Sequence, residues 1–191
     1  MTPRILAFSG SIRRDSLNQK LIEIASEDVR EAGGEITVIN LKDYQMPVFN
    51  QDLEDEGGLP DAVLQLKDVF RDHQGLLIAS PEYNGSLTAV LKNTIDWLTR
   101  PQEGFPPLDC FSGKIAAILA TSPGGRGGLM GLSHLRAILT HIKTIVIPHQ
   151  VAVPNAHQAI GNNDRIEPET IHDMVRHQAV QLVETTRRMH I

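Results

Sequence analysis

The sequence predicts an α/β fold in which helices cover both faces of a five-stranded parallel sheet. Five short apolar runs alternate along the chain with stretches whose apolar residues recur at helical spacing, a pattern typical of strands joined by helical crossovers. Two of the runs, residues 76–79 and 115–120, are apolar at every position, which indicates strands buried on both faces. The expected architecture is a three-layer, doubly wound sheet.

The first predicted strand, residues 4–8, leads into a polar loop and then a helix. Ser16 and Gln19 have the spacing of a capping box at the start of that helix, and Gly33-Gly34 supplies its C-terminal stop. The apolar stripe of that helix consists of Leu17, Leu21, Ala25 and Val29. A polar loop is therefore expected at the carboxyl end of the first strand.

The middle of the chain repeats this pattern twice. A strand at 36–39 precedes a long polar surface connection from 40 to 59 and a helix from about 61 to 72. The apolar strand 76–79 comes next, followed by a turn and a helix from about 87 to 98. Two further strand-helix units are therefore predicted.

The C-terminal part completes the predicted sheet. A strand at 115–120 is followed by a helix whose apolar residues recur from 132 to 139, and the last strand is expected at 144–147. A polar loop from 154 to 168 then precedes a final helix with apolar residues from 171 to 183. Five strands favour the flavodoxin-like strand order over the longer six-stranded Rossmann arrangement.

Composition limits the classes of function. The 191 residues are 41% hydrophobic, enough to bury a core, and we expect a single domain over residues 1–191. A net charge of -5 and a pI near 5.9 argue against a non-specific nucleic-acid binder, which needs a basic face. Because no apolar run approaches the ~20 residues that span a bilayer, and no signal segment is evident, a cytoplasmic protein is expected.

The reactive side chains argue against several kinds of site. Cys110 is the only cysteine, so an internal disulfide is impossible and a structural role is expected. The eight histidines form no His-x3-His or His-Glu-x2-His pair, which predicts that the protein has no metal site. The chain also has no Gly-x-Ser-x-Gly motif, which removes the simplest hydrolase interpretation.

The first loop, residues 10–18, has the chemistry of a phosphate site. Ser11, Ser16 and Asn18 offer hydroxyl and amide groups, Arg13 offers a guanidinium, and a helix N-terminus follows. The same spacing also fits a capped turn whose arginines face water. The loop has neither the Walker A lysine nor the dinucleotide glycine fingerprint, which favours a bound cofactor monophosphate over a hydrolysed nucleotide.

Two more loops leave the carboxyl ends of apolar strands. The loop after strand 76–79 has one carboxylate, Glu82, which fits either a general base or a group bonded to nearby amides. The loop 122–128 carries four glycines, so its backbone could approach a flat ligand. Such glycines alone also fit a flexible surface turn, but the position after a buried strand, as in the other two loops, favours a ligand. Since carboxyl ends of parallel strands share one edge, we expect the three loops to meet there.

Three motifs together resemble the NADPH-dependent FMN reductase family, which includes chromate, quinone and azo-dye reductases. The resemblance covers nearly the whole chain and is strongest in the Pro-Glu-Tyr-Asn turn with its Leu-Lys-Asn helix. The motifs are Gly10 to Asn18, Ser80 to Asn84 with Leu91 to Trp97, and Ser122 to Gly124 with Gly127-Gly128. Similar proteins often have Pro-Gly where this chain has Thr88-Ala89, and many have an arginine in place of Met130.

The resemblance implies a flavodoxin-like fold that binds FMN. The first loop would hold the FMN phosphate, the central turn would run along the isoalloxazine ring, and the third loop would line the opposite border of the ring. The cofactor-binding residues implied are Ser11, Arg13, Ser16, Leu17, Asn18, Pro81, Glu82, Tyr83, Asn84, Ser122, Gly124 and Gly125. No catalytic side chain is assigned, because the cofactor carries the chemistry.

The implied activity is an NAD(P)H oxidoreductase that passes hydride through FMN to a quinone, free flavin, azo compound or chromate. NADPH or NADH would be the electron donor, with Arg126 or Arg100 as candidates to meet the 2′-phosphate of NADPH. A homodimer or homotetramer is expected. The alternatives are a flavodoxin-type electron carrier and a non-enzymatic sensor of FMN or another phosphorylated ligand.

Overall fold

The computed structural model describes residues 1–161 and 165–190. In chain order its elements are β1 (Arg4–Ser9), α1 (Leu17–Glu31), β2 (Glu35–Asn40), a 3-10 turn (Leu41–Asp43), α2 (Gln51–Gly57), α3 (Asp61–Arg71), β3 (Gly75–Ala79), β4 (Glu82–Tyr83), β5 (Ser86–Leu87), α4 (Ala89–Leu98), β6 (Ile115–Thr121), α5 (Leu129–His141), β7 (Ile145–Val153), α6 (Ala156–Ala159) and α7 (Glu169–Met189). No described helix is long and apolar enough to cross a membrane.

The main sheet has five parallel strands in the order β2-β1-β3-β6-β7. This confirms the predicted α/β fold and its flavodoxin-like strand order. Every residue of β3 and β6 is buried, as expected for strands covered on both faces. In the register Phe8 lies beside Ile78, and Ile78 lies beside Ile118, so the carboxyl ends of β1, β3 and β6 are level.

Helices cover both faces of the sheet. On one face, alternate strand residues such as Ile5 and Ala7 pack against α1 and α7. On the other face, Leu6 and Phe8 pack against α3, α4 and α5. The Phe8 and Phe70 rings lie 5.4 Å apart between their centroids. The alternation follows from the two-residue period of a strand, which sends successive side chains to opposite faces.

The predicted start and end of α1 are confirmed. The Ser16 Oγ accepts a hydrogen bond from the Gln19 N–H at 3.2 Å, which caps the helix. The reciprocal half of a capping box does not form: the Gln19 side-chain oxygen accepts no hydrogen bond among the described residues, and the side-chain nitrogen donates to Glu23 at 3.4 Å. At the other end, Gly33 takes a φ of +82° that favours glycine and ends the helix.

The connection from 40 to 59 has more structure than predicted. It contains the 3-10 turn and α2, and α2 buries no residue. Asn93 accepts from the Phe49 N–H at 2.8 Å and donates to the Pro47 carbonyl at 2.9 Å, while the Trp97 indole also donates to Pro47 at 2.8 Å. Asn93 and Trp97 of this helix motif therefore hold the connection against α4.

Strand β7 is longer than the predicted 144–147. A bulge shifts its register, so that Ala116 pairs with Val146 but Ile118 pairs with Gln150. Pro148 sits in this bulge, which is tolerated because β7 is an edge strand. The predicted loop 154–168 contains α6 and a bridge between Ile160 and Ile166, and its residues 162–164 lie outside the described chain.

Candidate functional site

The three strand-end loops meet at the carboxyl edge of the sheet and form an open cleft. It lies beside β1 and β3, where the chain switches direction across the sheet and where such folds bind ligands. The cleft encloses about 590 Å³, including solvent at its mouth. Its lining residues are Ser11, Arg13, Ser16, Leu17, Asn18, Pro81, Glu82, Tyr83, Thr121, Ser122, Pro123 and His157.

The first loop presents donors to this cleft. The N–H groups of Leu17 and Asn18 lie in the first turn of α1 and have no acceptor among the described residues, as the start of a helix requires. Arg13 is exposed, and its guanidinium donates to the Asp15 carbonyl at 2.7 Å. The Arg13 N–H donates to the Ser11 hydroxyl at 3.3 Å. A cation and free amides thus face one end of the cleft, a combination that binds anions.

Asn18 joins the first loop to the third. Its side-chain amide donates to the Thr121 carbonyl at 2.9 Å, and its oxygen accepts from the Thr121 N–H at 3.0 Å. These two hydrogen bonds to the backbone of a single residue use both the nitrogen and the oxygen of the side-chain amide. Asn18 therefore lies at the predicted place, but its side chain connects two loops.

Glu82 lies on a two-stranded hairpin formed by β4 and β5. The turn of the hairpin, Asn84-Gly85, has φ values of 52° and 75°, as in the type I′ turns that Asn-Gly favours. The Glu82 carboxylate accepts from the Gly131 N–H at 2.9 Å, in the first turn of α5. Of the two interpretations of Glu82, the structure supports a group bonded to a nearby amide. Tyr83 beside it is 58% exposed.

Fewer of the residues predicted in the third loop line the cleft than expected. Ser122 lines the cleft, but the predicted residues Gly124 and Gly125 are exposed and are not among its lining residues, and Asn84 lies outside the lining at the tip of the hairpin. Gly127 and Gly128 have φ values of 62° and 90°, and a Cβ at either would come within 2.8 Å of β7 or β6. These last two glycines are needed by the fold itself.

Nine of the twelve predicted cofactor-binding residues line the cleft, and three lining residues were not predicted. Thr121 and Pro123 flank Ser122 at the end of β6 and could have been found from their position. His157 lies on α6, which follows β7. No spacing in the sequence links His157 to the first loop, because only the tertiary fold brings α6 to this edge.

A sequence profile of the NADPH-dependent FMN reductase family matches residues 3–158. The chain belongs to this family. Membership makes it an oxidoreductase that uses FMN as cofactor and NAD(P)H as electron donor, as the resemblance implied.

Related proteins match this chain over most of its length. It is 32% identical over 187 residues to an NAD(P)H-dependent FMN reductase of Pseudomonas aeruginosa, covering 97% of this chain and 96% of the relative. It is 34% identical over 155 residues to a probable NADPH:quinone oxidoreductase of Oryza sativa, covering 81% and 73%. Among solved structures, the flavoenzyme NAD(P)H:(acceptor) oxidoreductase FerB of Paracoccus denitrificans superposes with a TM-score of 0.80 at 26% identity, covering 98% and 99%.

The cleft of this FMN reductase family member fits a flavin mononucleotide. The anion-binding end has a cation, hydroxyls and free helix N–H groups, which suit a phosphate. A Cβ at Gly125 would meet nothing within 4 Å, and a Cβ at Gly124 would approach only the Ser122 hydroxyl, at 3.9 Å. Neither glycine has a positive φ. The space beside these two glycines is therefore open.

The two candidate arginines differ in position. Arg126 is exposed on the third loop, whose Ser122 and Pro123 line the cleft. Arg100 follows the far end of α4, where its Nε donates to Glu54 at 2.7 Å and its guanidinium donates to Gln51 at 3.2 Å. Arg100 thus has its own partners away from the cleft. Within the described residues, no group of three or more His, Cys, Asp or Glu side chains could hold a metal ion.

Proposed function

We propose that the cleft holds FMN and that the protein uses NAD(P)H to reduce a quinone. The observation that carries the proposal is the convergence of Arg13, Ser11, Ser16 and the first turn of α1 at one end of an open cleft. Family membership and the flavoenzyme FerB, similar in structure, support the cofactor.

The chain's own residues would bind and orient the cofactor. Arg13, Ser11 and Ser16, with the N–H groups of Leu17 and Asn18, would hold the phosphate. Pro81, Glu82 and Tyr83 on one side and Ser122 on the other would border the ring. Asn84, Gly124 and Gly125 would contact only parts of the ligand that extend beyond the cleft, since they do not line it.

No side-chain acid or base is needed in this scheme. When bound, FMN supplies the ability to accept hydride from NAD(P)H and pass it to an acceptor. Glu82 is committed to the Gly131 N–H, so its role is to hold the hairpin against α5. The protein contributes an oriented site whose outer face is open to both substrates.

A quinone is the acceptor best supported. The relative from Oryza sativa is named as a probable NADPH:quinone oxidoreductase, and the exposed face of Tyr83 beside the cleft offers an aromatic surface to a planar ligand. Free flavin, azo compounds and chromate are further acceptors to test. For the donor, loss of NADPH preference over NADH in Arg126→Ala would identify Arg126 as the contact to the 2′-phosphate.

The test is anaerobic addition of NADPH to the FMN-saturated protein while the visible flavin absorbance is followed. We expect rapid bleaching that a quinone reverses. A protein that binds FMN but stays oxidised with both NADPH and NADH would be a carrier and not a reductase. A protein that binds no FMN would contradict the proposed site.

We also infer that the protein forms a homo-oligomer. A groove between α4 and α5, whose exposed surface is mostly apolar, is lined by Ser86, Leu87, Thr88, Ala89, Lys92, His134, Ala137 and Ile138. Met130, one turn before His134 on α5, is 48% exposed. A second copy could cover this surface. Light scattering at micromolar concentration should give at least twice the mass of one chain, and a monomer would contradict the inference.

A further inference from the structure

We propose that Thr88 is a positioning residue that sets the affinity of the first loop for the FMN phosphate from outside that loop. The inference rests on the proposed function, because it concerns the same cleft. Thr88 does not line the cleft and belongs to the segment before α4. It would act on the cofactor only through the backbone of Gly10.

The contacts of Thr88 link two distant parts of the chain. Its hydroxyl donates to the Gly10 carbonyl at 2.6 Å and accepts from the Leu91 N–H at 3.2 Å. Thr88 is only 2% exposed, so water does not compete for these bonds. One hydroxyl thus caps α4 and also holds the start of the first loop.

A small rotation of the peptide group between Gly10 and Ser11 would redirect an N–H donor of the first loop. The Gly10 carbonyl and the Ser11 N–H belong to one planar trans peptide group and point in opposite directions. Fixing the carbonyl on Thr88 therefore fixes the direction of the Ser11 N–H, which has no acceptor among the described residues. Ser11 is also the first of the polar residues that line the cleft.

The neighbours of Gly10 restrict where the first loop can lie. The Gly10 N–H donates to the Ala79 carbonyl at 2.8 Å, which extends the pairing of β1 with β3. A Cβ on Gly10 would come within 2.9 Å of the Leu91 side chain, so only glycine lets the loop lie against α4. With Asn18 bonded to Thr121 at the other end, the loop is held at both ends before a ligand arrives. Such preorganisation raises affinity by lowering the ordering cost of binding.

The experiment compares FMN with riboflavin, which lacks the phosphate, on cofactor-free protein. The variant Thr88→Val keeps the shape of the side chain and removes its hydroxyl, whereas Thr88→Ser keeps the hydroxyl. We expect Thr88→Val to raise the Kd for FMN about tenfold, because binding would then have to order a loop that the parent already holds in place. Its Kd for riboflavin should stay within about twofold, and Thr88→Ser should bind both flavins nearly as the parent does.

The matched control is Thr94→Val on the same helix. Thr94 is also buried, but its hydroxyl donates to the Val90 carbonyl at 2.8 Å, within α4. Thr94→Val should leave the ratio of the Kd for FMN to the Kd for riboflavin unchanged. If Thr88 served only as a helix cap, Thr88→Val would lower the free energy of unfolding and leave this ratio at the parent value.

Several outcomes would overturn the inference. Equal weakening of FMN and riboflavin in Thr88→Val would show a general structural effect, and no weakening would show that Gly10 is held by other contacts. If Thr88→Val does not fold, the smaller Thr88→Ala takes the same measurement with the same expected result. A parent protein that binds neither flavin overturns the proposed function as well, whereas the first two results overturn the role of Thr88 alone.

Discussion

Arg13 and Glu82 line one cleft with opposite charges, yet only Arg13 is available to a ligand. The Arg13 side chain bonds a single carbonyl and is exposed, so it can turn toward an anion. Glu82 is held by the Gly131 N–H at the start of α5, where the helix dipole also favours a negative charge. The negative charge of Glu82, which would repel a phosphate, is therefore held at the start of α5.

Replacing Arg13 should weaken the binding of FMN. A charge-assisted hydrogen bond contributes about 1.5 to 3 kcal/mol, and exposure lowers this, so we expect Arg13→Ala to raise the Kd for FMN about tenfold. Titration of cofactor-free protein with FMN measures the effect. Arg14→Ala is the matched control, because Arg14 is exposed next to Arg13 but does not line the cleft. Equal Kd values for the parent and Arg13→Ala would remove Arg13 as the phosphate contact.

Replacing the Glu82 carboxylate should hardly affect turnover. Glu82→Gln keeps an oxygen for the Gly131 N–H and removes only the charge, so we expect a stability loss of about 0.5 kcal/mol and a kcat within about threefold of the parent. Steady-state quinone reduction and urea unfolding give the two quantities. A hundredfold lower kcat in a folded, FMN-loaded variant would instead identify Glu82 as a general base.

At the level of elements, a buried ammonium group holds the C-terminal end of α4 against α3. Lys67 of α3 is fully buried, and its Nζ donates to the carbonyls of Leu98 at 3.1 Å and Arg100 at 2.8 Å. The carboxylate of Asp109 lies 3.6 Å from the same Nζ and also accepts from Arg71. Helix ends leave such carbonyls without partners, so Lys67 completes the end of α4.

Removing this ammonium group should be costly. Lys67→Met keeps most of the side-chain volume but leaves buried carbonyls and Asp109 short of a donor, so we expect the free energy of unfolding to fall by about 2 to 4 kcal/mol. Lys92→Met is the control, because the Lys92 pair with Asp96 at 2.7 Å is exposed and should contribute less than about 1 kcal/mol. Similar urea midpoints for both variants would contradict this account.

At the level of the whole molecule, buried ionisable groups make the stability depend on pH. Burial lowers the pKa of His73 below its usual 6.5, against a smaller opposing effect of the carbonyl of Val69. His73 Nδ1 lies 2.7 Å from that carbonyl and Nε2 lies 2.8 Å from the Thr37 hydroxyl, an arrangement that suits a neutral ring. Burial also raises the pKa of the Cys110 thiol to about 12, which agrees with the structural role expected for it.

Acidification should therefore destabilise the protein through His73. As the pH falls below about 6.5, His73 binds a proton in the unfolded chain before it does so in the folded one, so the free energy of unfolding falls. One such group contributes a slope of at most about 1.4 kcal/mol per pH unit. We expect His73→Gln to reduce the slope between pH 7 and 5.5 in urea unfolding of cofactor-free protein. The exposed His141 provides the control His141→Gln, and equal slopes in all three proteins would exclude His73 as the cause.

The order of elements could be predicted because each signal is local. The apolar runs of β3 and β6 have no polar interruption, and Ser16 and Gly33 bracket α1 through contacts with near neighbours in the chain. The loops of the cleft could be predicted for the same reason, since the carboxyl ends of parallel strands share an edge. Helix α2 was missed because it buries no residue and so has no apolar stripe, and the length of β7 was missed because Pro148 interrupts its pattern.

The contacts that shape the cleft depend on the tertiary structure. Asn18 meets Thr121 across 103 positions, and Thr88 meets Gly10 across 78. His157 reaches the cleft only because β7 returns the chain to the carboxyl edge. The side chains of residues such as Asn18 and Glu82 can bond either a ligand or a backbone group, and the sequence around them is the same in both cases. Their partners are set by distances of about 3 Å that arise only when the sheet has formed, so local patterns predict the place of the site and folding selects the role of each residue.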